Sequence, residues 1–461
     1  MELKGKRILV VGLGKSGVAS AIFLRSLGAQ VTVSDVRSVE ALAKELPALL
    51  DAGVMVEAGG HGLLTFRRQD WIVVSPGVPL NTPELVQARS FGTPIIGELE
   101  LAARYLRGKL LAITGSNGKT TTTALCGEIF RASGLPTQVA GNIGIPVISQ
   151  VAASREDGWS ILEVSSFQLE TTVNFRPSIA VILNITPDHL DRHGNMENYV
   201  AAKERIFANQ TPEDALILNA EDTETQRAAI RAKGSVFWFS NRRPVRQGTF
   251  LYQNAIVWRA GETSTLEPVV PVEEIALKGE HNVENVLAAV CAAKLAGIPA
   301  EVIRRAVGQF RAVEHRLELV TRISGVDYYN DSKATNVDAT MKAIASFPAG
   351  IHLILGGKDK DSDYTLLQQL LRERARAVYT IGAAAEKIEQ QIGGVVPVLR
   401  CETLARAVEQ AASRAHPGEV VLLAPACSSF DQFENYEDRG NRFKQLVLAR
   451  HGVEAWQNAS A

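Results

Sequence analysis

The chain has 461 residues, of which 46% are hydrophobic and 21% are charged. At roughly 100–200 residues per domain, this length predicts two to four domains with ordinary globular cores. The formal net charge of -1 excludes a global electrostatic attraction to nucleic acid or to an anionic membrane.

The cysteines predict a reducing compartment, and so a cytoplasmic protein, because their spacing fits neither a zinc site nor a disulfide framework. The first seven residues lead straight into a strand, which is not the pattern of a secretory signal. No uninterrupted apolar run reaches ~18 residues, so no membrane-spanning helix is expected. A monomer is compatible with these features. The four cysteines are Cys126, Cys291, Cys401 and Cys427.

Strands alternate with helices along the chain, which predicts an α/β protein built on parallel sheets. Three blocks are expected, over residues 1–97, 98–310 and 311–461. The first block opens with strand Arg7–Val11, a helix from about Ser16 to Leu27 and strand Gln30–Ser34.

The second block contains candidates for buried strands. After residue 235 the sequence pattern changes, and we interpret the segments there as short antiparallel strands at the edge of the sheet. A helix over Asn282–Leu295 then ends at Gly297, a plausible C-terminal cap. The buried candidates are Leu110–Thr114, Ser160–Leu162 and Ala180–Leu183, and the edge candidates are Val236–Phe239, Thr249–Tyr252 and Ala255–Trp258. The third block, starting near Arg311, has candidates Asp327–Asn330, His352–Leu355, Ala377–Ile381, Val395–Leu399 and Val420–Leu423.

The first glycine turn, Gly12–Gly17, reads G-x-G-x-x-G between a strand and a helix, and Asp35 ends the next strand. Glycine lets the backbone approach a phosphate, and the helix N-terminus supplies N–H donors. Alone, this pattern indicates a dinucleotide site with Asp35 on the ribose. Another phosphate-bearing nucleotide, or a turn with no ligand, remains open.

The second glycine turn, Gly115–Thr120, ends in Gly-Lys-Thr after a strand and opens a helix. In a P-loop the backbone cradles phosphate, the lysine neutralises it, and the hydroxyl reaches Mg²⁺. Gly115 and Gly118 flank two residues, whereas a standard P-loop has four between its glycines. A turn that merely contains Gly-Lys-Thr is the alternative.

Further polar residues follow strands at the predicted carboxyl edges, where α/β proteins bind ligands. Glu163 is placed as a metal-coordinating acid, and His189 follows the strand that ends near Ile185. Either side chain could instead be structural. Three polar clusters end strands of the third block and together favour a site: Asn330–Asn336, Gly356–Lys360 and Pro425–Phe433.

The loop Gly115–Thr120, taken with Asn142, Glu163 and Asn330–Asn336, resembles the Mur ligase superfamily, whose shortened loop reads T-G-x-N-G-K-S/T. The resemblance spans essentially the whole chain. It is strongest to the branch that adds D-glutamate to UDP-N-acetylmuramoyl-L-alanine. That judgement depends on Gly12–Gly17 with Asp35 and Arg37, on Asn330–Asn336, and on Ser429–Phe433 leading to Arg439 and Gly440. An Asp-Asn-Pro-Arg motif, expected of the diaminopimelate-adding branch, does not occur in the sequence.

This resemblance implies a three-domain α/β enzyme with a Rossmann-like UDP-binding domain, a central P-loop-type ATP-binding domain and a Rossmann-like amino-acid-binding domain. It implies an ATP-dependent amide ligase of peptidoglycan precursor synthesis that works through an acyl phosphate. The substrates would be UDP-N-acetylmuramoyl-L-alanine, D-glutamate and ATP, with Mg²⁺ as cofactor. UDP, not NAD, is then expected at Gly12–Gly17.

Site residues follow by matching positions to the family. The UDP-sugar would contact Gly14, Lys15, Ser16, Asp35, Arg37, Gly77, Asn142 and Gln168. ATP would contact Gly115, Ser116, Asn117, Gly118, Lys119, Thr120, Thr121, Asn282, Arg316 and Asp331. D-glutamate would contact Thr335, Lys360, Ser429 and Tyr436, with Lys333 near the reacting groups.

The implied metal ligands include Lys203, which family members carbamylate, on a helix capped near Asn195. From the residues alone, Lys203 would be a solvated helix lysine. The metal set is Thr120, Glu163, His189 and Lys203, and the catalytic set is Lys119, His189, Lys203 and Lys333.

Competing hypotheses remain at this point. A nicotinamide oxidoreductase would use Gly12–Gly17 but leave Gly115–Thr120 without a role. A P-loop nucleotide switch would leave the third-block clusters unused. Within the superfamily, another amino-acid-adding Mur ligase or folylpolyglutamate synthase is the alternative.

Overall fold

The computed structural model describes residues 3–142, 144–277, 279–310 and 314–459, with side chains described as far as residue 450. The predicted start of the third block at Arg311 lies outside these residues.

The first sheet has five parallel strands in the order β3-β2-β1-β4-β5. Its strands are β1 (Arg7–Val11), β2 (Gln30–Asp35), β3 (Met55–Ala58), β4 (Trp71–Val74) and β5 (Ile95–Gly97). The helices of this region are α1 (Lys15–Ser26), α2 (Leu46–Asp51), α3 (Leu63–Arg67), α4 (Pro83–Ser90) and α5 (Glu98–Ala103).

The second sheet has nine strands in the order β14-β13-β12-β11-β10-β9-β6-β8-β7. Its strands are β6 (Lys109–Thr114), β7 (Thr137–Gly141), β8 (Trp159–Glu163), β9 (Ile179–Ile182), β10 (Ala215–Asn219), β11 (Ser235–Ser240), β12 (Gly248–Tyr252), β13 (Ala255–Arg259) and β14 (Glu267–Pro271). The helices between residues 115 and 310 are α6 (Lys119–Ala132), α7 (Ser166–Leu169), α8 (Leu190–His193), α9 (Met196–Glu204), α10 (Thr223–Ala229), α11 (Glu280–Leu295) and α12 (Ala300–Gln309).

The predicted edge extension of this sheet is confirmed, but the direction assigned to Val236–Phe239 is wrong. That segment lies in β11, which pairs in parallel with both β10 and β12. The cause is the connection: α10 carries the chain back so that β11 runs the same way as β10, as helical crossovers do. Antiparallel pairing starts only at the two-residue turn Gln253–Asn254, where both residues have positive φ and favour a tight hairpin.

The third sheet has six strands in the order β15-β16-β20-β17-β18-β19, all parallel except β15. Its strands are β15 (Glu318–Ile323), β16 (Val326–Asn330), β17 (Ile351–Gly356), β18 (Ala375–Ile381), β19 (Val398–Glu402) and β20 (Val420–Leu423). Its helices are α13 (Val337–Ala345), α14 (Gln368–Arg374), α15 (Ala385–Ile392), α16 (Leu404–Ala412) and α17 (Tyr436–Ala459). β19 begins three residues after the predicted Val395, because Pro397 cannot donate to the ladder.

The three sheets confirm the predicted three-domain α/β architecture. By chain contacts they fall into two compact units, which we call the first and second units. The first unit comprises residues up to Ile185, Asn195–Ile275 and Glu284–Gln309; the second comprises Thr186–Gly194, Ala276–Val283 and the chain from Phe310 onward. The domain boundaries after residues 97 and 310 stay a prediction.

Within the first unit, one hydrophobic core runs from the first sheet into the second. It contains Ile8 and Leu24 of the first domain, Leu99 of α5, and Leu162 and Ile182 of the second sheet. Burial of these side chains therefore fastens the first two domains to each other through α5. None of the helices described has the length and apolar character needed to cross a membrane.

Candidate functional site

The turn between β1 and α1 is closed by Asp35, at the end of β2. The Asp35 Oδ2 atom accepts a hydrogen bond from the Leu13 amide at 2.7 Å, and Arg37 donates to the same carboxylate from its Nε and Nη2 atoms. Burial raises the pKa of Asp35, but the hydrogen bonds from Arg37 and Leu13 outweigh it and leave the pKa below its usual value. The carboxylate is thus held as an anion against the loop.

The glycines of this region differ in what surrounds them. A Cβ at Gly17 would lie 1.9 Å from the Gly12 carbonyl oxygen, so the helix can approach the strand only there. A Cβ at Gly14 or Gly77 would meet nothing within 4 Å. The N-terminus of α1 therefore opens onto free space, as a phosphate site requires. The structure gathers Gly14, Lys15, Ser16, Asp35, Arg37 and Gly77 at the carboxyl ends of β1, β2 and β4.

The second glycine turn joins β6 to α6, and Gly118 begins the helix at φ 87°. Here the lysine side chain folds back over the loop. The Lys119 Nζ atom donates to the carbonyl oxygens of Gly115 and Ser116 at 2.8 and 2.9 Å. Thr120 and Thr121 are buried directly after it. The loop and its cation form a compact positive cradle, as predicted for a P-loop.

Lys203 is buried beside this loop, so the alternative of a solvated helix lysine is wrong. Its side chain is 1% exposed, and its Nζ atom donates to the Gly115 carbonyl oxygen at 2.9 Å. The predicted cap is confirmed: the Asn195 side chain accepts from the Asn198 amide at the start of α9. Lys119 and Lys203 thus share one acceptor oxygen, which places two ammonium groups side by side.

The oxygen donors near this loop suit a hard cation. Thr120 contributes a hydroxyl, and Glu163 ends β8, the strand next to β6, with its carboxylate buried. In the part of the chain that the structure describes, no three His, Cys, Asp or Glu side chains converge to hold a metal by themselves. Magnesium in nucleotide sites takes one or two protein oxygens and completes its shell with phosphate and water, so this donor set fits it.

Asn142 and Gln168, the residues matched to the sugar-peptide part of the substrate, lie at the same edge of the second sheet. Asn142 follows β7, donates from Nδ2 to the Glu163 Oε1 atom at 3.0 Å, and is exposed. Gln168 is buried in α7, where its Oε1 atom accepts from the Ser165 amide and completes a capping box. One end of Gln168 therefore holds the fold of α7.

In the second unit, Lys360 lies close to Asp188. The Lys360 Nζ atom is 3.3 Å from the Asp188 Oδ1 atom, and Asn336 donates to Oδ2 of the same carboxylate at 2.9 Å. His189 has a φ of 55°, and its Nε2 atom lies 3.6 Å from Asp188. The sequence analysis assigned Lys360 and His189 to the site separately and did not assign Asp188. The structure places both of them beside the Asp188 carboxylate.

Lys333 and Tyr436 also meet in the second unit. The Lys333 Nζ atom donates to the Tyr436 hydroxyl at 3.2 Å and lies 4.9 Å from the centre of its ring. Ser429 is buried at the turn after β20, and Thr335 lies directly before Asn336 at the start of α13. Cations and hydroxyl donors therefore line the carboxyl ends of β16, β17 and β20.

A third feature of the second unit is a cavity of about 210 Å³ lined by Asn282, Arg316, Leu317, Tyr329 and Phe347, among others. Its apolar walls and few polar groups suit a flat heteroaromatic ring. Asp331 is buried at the end of β16, and burial raises its pKa to about 6 against the opposing charges of Arg316 and Lys333.

Several supporting residues escaped the sequence analysis. Asn184, after β9, accepts from the Asn117 amide at 2.8 Å, and Asn285 accepts from the Thr122 hydroxyl at 3.3 Å. For Arg439, named in the sequence only as a mark of the resemblance, the structural role was missed: it is fully buried and donates to the carbonyl oxygens of Ser332 and Cys427. The sequence pattern that could have pointed to Asn184 and Asn285 is a polar residue at a strand end or in an apolar helix. A single sequence does not distinguish such a residue from one that caps a helix.

Comparison with known proteins covers all three domains. Residues 6–97 match the Mur ligase MurD-like N-terminal domain, residues 113–293 the Mur ligase middle domain, and residues 315–427 the Mur ligase glutamate ligase domain. The UDP-N-acetylmuramoylalanine–D-glutamate ligase of Acidobacterium capsulatum is 69% identical over 461 residues, covering 100% of both chains. The enzyme of the same name from Koribacter versatilis is 59% identical, covering 97% of this chain and 98% of its own.

Solved structures share the fold at low identity. UDP-N-acetylmuramate–alanine ligase of Thermotoga maritima superposes with a TM-score of 0.60 at 19% identity, covering 98% of this chain and 100% of its own. The MurF ligase of the same organism, in complex with ADP, gives a TM-score of 0.59 at 14% identity, covering 97% and 96%.

Proposed function

Because the chain belongs to the Mur ligase family, we propose that it joins D-glutamate to UDP-N-acetylmuramoyl-L-alanine, converting ATP to ADP and phosphate. The structural observation that carries the proposal is the loop Gly115–Thr120, with Lys119 folded over it and Lys203 and Glu163 buried near it. The four free, buried cysteines support a reducing, cytoplasmic compartment.

The chemistry explains why a phosphate-binding loop is needed. A carboxylate does not react with an amine, because its leaving group would be oxide. Transfer of the ATP γ-phosphoryl group to the substrate carboxylate gives an acyl phosphate, which the amine of D-glutamate attacks with loss of phosphate. Charge builds up on phosphoryl and acyl oxygens in both steps, so fixed cations supply most of the catalysis.

In this scheme Lys119 and the backbone N–H groups of residues 115–121 bind the ATP phosphates. When bound, Mg²⁺ would neutralise charge on the phosphoryl oxygens, and Thr120 and Glu163 are the residues proposed to hold it. His189 and a modified Lys203 are assigned to a second Mg²⁺ ion. Asn282 and Arg316, which line the 210 Å³ cavity, are assigned to the adenine and phosphates, and Asp331 to the ribose.

The first domain is assigned to the UDP part of the substrate. In the dinucleotide alternative, Asp35 would bind ribose hydroxyls. Its Oδ2 atom instead accepts from the Leu13 amide, and Arg37 contacts both carboxylate oxygens. This arrangement favours a site where Asp35 shapes the loop and Arg37 presents positive charge. We assign the sugar and L-alanine to Asn142 and Gln168.

D-glutamate is assigned to the second unit, because its two carboxylates need at least one cation and several hydroxyl or N–H donors. The residues assigned to it are Thr335, Lys360, Ser429 and Tyr436, with Lys333 near the reacting groups. Lys360→Ala should raise the KM for D-glutamate by on the order of 10-fold or more, the cost of one charged contact. Formation of the acyl phosphate should persist in this variant. Isotope exchange in the UDP-substrate measures that step.

The matched control for this variant is Arg372→Ala, which removes an exposed cation of α14 and should leave the KM for D-glutamate unchanged. If Lys360→Ala also left that KM unchanged, the D-glutamate site would have to be moved to Lys333 or Lys358.

We also propose that Lys203 carries a carbamate. Lys203 is buried beside the phosphate-binding loop, where its Nζ atom donates to the Gly115 carbonyl oxygen. A neutral amine adds CO₂, forming an N–C bond and releasing a proton, and becomes an anion that can bind Mg²⁺. Lys203→Ala should be nearly inactive and partly rescued by acetate. Wild-type protein in ¹³C-bicarbonate should show a carbamate carbon signal that the variant lacks; a spectrum without it would refute the assignment.

The overall function is tested by phosphate release with ATP and UDP-N-acetylmuramoyl-L-alanine across a panel of amino acids. D-glutamate should give the highest kcat/KM. Preference for another amino acid would identify a different Mur ligase, and activity only with a folate would identify folylpolyglutamate synthase. Quenching of reduced nicotinamide fluorescence on titration would instead support the oxidoreductase alternative.

A further inference from the structure

Helix α5 carries two buried carboxylates that neither substrate binding nor phosphoryl transfer uses. Glu98 is 2% exposed and Glu100 is fully buried, although both carry ionisable side chains in the first turn of a short helix. Carboxylates at this degree of burial need compensating hydrogen bonds. Each of them accepts backbone hydrogen bonds from a different segment of the second domain.

Glu98 holds the segment that follows Asn142. Its Oε1 atom accepts a hydrogen bond from the Ile148 amide at 2.6 Å. Ile148 lies in the 3-10 turn Val147–Gln150, which begins five residues after Asn142. Closer to Asn142, the Gly141 amide donates to the Ile145 carbonyl oxygen at 2.9 Å. A buried hydrogen bond from α5 therefore fixes the turn that follows Asn142 in the chain.

Glu100 holds the segment that follows Gln168. Its Oε2 atom accepts from three consecutive amides, those of Val173, Asn174 and Phe175, at 2.8, 3.0 and 3.0 Å. Arg104, the residue directly after α5, donates to its Oε1 atom at 2.9 Å. The chain between α7 and these amides is short and internally bonded, since the Thr172 amide and hydroxyl both bond to the Leu169 carbonyl oxygen.

The residue before the helix adds a steric restraint. A Cβ at Gly97 would lie 2.1 Å from the Thr171 hydroxyl oxygen, and the Gly97 amide donates to the Thr171 carbonyl oxygen at 3.3 Å. The Thr171 hydroxyl in turn donates to the Gln168 carbonyl oxygen at 3.2 Å. The start of α5 is thus packed directly against the end of α7.

We propose that α5 sets the spacing between Asn142 and Gln168, with Glu98 and Glu100 as positioning residues for the sugar-peptide part of the substrate. This inference rests on the proposed function, because that function assigns the sugar and L-alanine to Asn142 and Gln168. The proposal also relates the binding of the UDP half of the ligand to the binding of its sugar-peptide half. The same helix that leaves the UDP-binding domain fixes the two segments that receive the rest of the molecule.

The test separates the two halves of the ligand. Titration with UDP alone reports on contacts in the first domain, whereas UDP-N-acetylmuramoyl-L-alanine reports on both. Glu98→Ala should weaken binding of UDP-N-acetylmuramoyl-L-alanine and raise its KM by about 10-fold, the scale of one lost buried hydrogen bond. The Kd for UDP and the KM values for ATP and D-glutamate should stay within about twofold. Glu156→Ala, at an exposed loop carboxylate, is the matched control and should change none of these values.

Conservative variants keep the test decisive if Glu98→Ala does not fold. Glu98→Gln retains a carbonyl oxygen for the Ile148 amide and should restore the KM to near the wild-type value. Glu98→Asp retracts the carboxylate by one methylene and should behave like the alanine variant. A folded Glu98→Ala or Glu98→Asp protein with unchanged KM, or with an equal loss of UDP affinity, would overturn the proposal. Wild-type protein that fails to turn over the UDP-substrate would instead overturn the proposed function.

Discussion

The two glycine turns of the first unit look alike in the sequence and differ in what surrounds them. Each joins the first strand of its sheet to a helix. In the first turn, the Asp35 carboxylate bonds to the Leu13 amide and the helix N-terminus is open, with no atom within 4 Å of a Cβ at Gly14. In the second, Lys119 folds over the loop, and a Cβ at Gly118 would lie 2.2 Å from the Asn285 Oδ1 atom.

The difference shows that glycine spacing alone does not specify the kind of phosphate ligand. At the first loop the guanidinium of Arg37 is paired with the carboxylates of Asp35 and Glu45, so its charge is largely balanced. A lysine in contact with the second loop places positive charge where a phosphoryl group would be transferred. The side chains that contact each turn therefore distinguish the two turns, whereas their glycine spacing does not.

The largest effect is expected at the second loop. Lys119→Ala should lower kcat by on the order of 10³-fold, because a fixed cation on the transferring phosphoryl group is lost. Binding of the UDP-sugar should remain, measured by calorimetry. Lys109→Ala, at the opposite end of β6, is the control and should keep wild-type turnover. Near-normal turnover by Lys119→Ala would remove the assignment of this loop to ATP.

A smaller effect is expected at the first loop. Asp35→Ala should raise the KM for the UDP-sugar by roughly 10–100-fold, because the Leu13 amide and Arg37 lose their buried acceptor. The KM for ATP should change little. Asp51→Ala, at the exposed end of α2, serves as the comparison. Equal effects on both substrates, or tight binding of NAD by the wild type, would contradict the contrast between the loops.

The smallest effect compares the glycines that start the two helices. Gly14 has a φ of -68° and open space around it, so Gly14→Ala should change the free energy of unfolding by about 1 kcal/mol or less. It should still weaken UDP-sugar binding, because the new methyl group would enter the space assigned to phosphate. Gly118→Ala should cost about 2 kcal/mol or more, because φ is 87° and the methyl group would clash with Asn285. Equal stability losses, measured by denaturant unfolding, would contradict the geometric difference.

Much of the fold follows from local patterns in the sequence. Local interactions determine some elements, so their sequence predicts them. Examples are the apolar runs of β1, β4, β6 and β20 and the helix cap at Asn195. The direction of β11 did not follow, since pairing direction depends on where α10 returns the chain. Edge strand β14, with Pro268 and Pro271, also lacked a strand signal.

The candidate site shows the same division. Lys119 and Thr120 could be assigned from the loop itself. The burial of Lys203 and the contact of Lys360 with Asp188 could not, because each joins residues far apart in the chain. Glu98 and Glu100 were missed for a related reason: on an amphipathic helix, carboxylates in the first turn ordinarily indicate a solvated, dipole-favoured end.

The second unit is assembled from three separate stretches of chain, and this limits how the protein can be recombined. The chain changes unit after residues 185, 194, 275, 283 and 309. A hybrid that took only residues 314–461 from a relative would keep its own Asp188 against the relative's counterpart of Lys360, and its own Asn282 in the relative's version of the 210 Å³ cavity. A hybrid that is to keep these contacts therefore has to exchange residues 186–194 and 276–283 together with the C-terminal sheet.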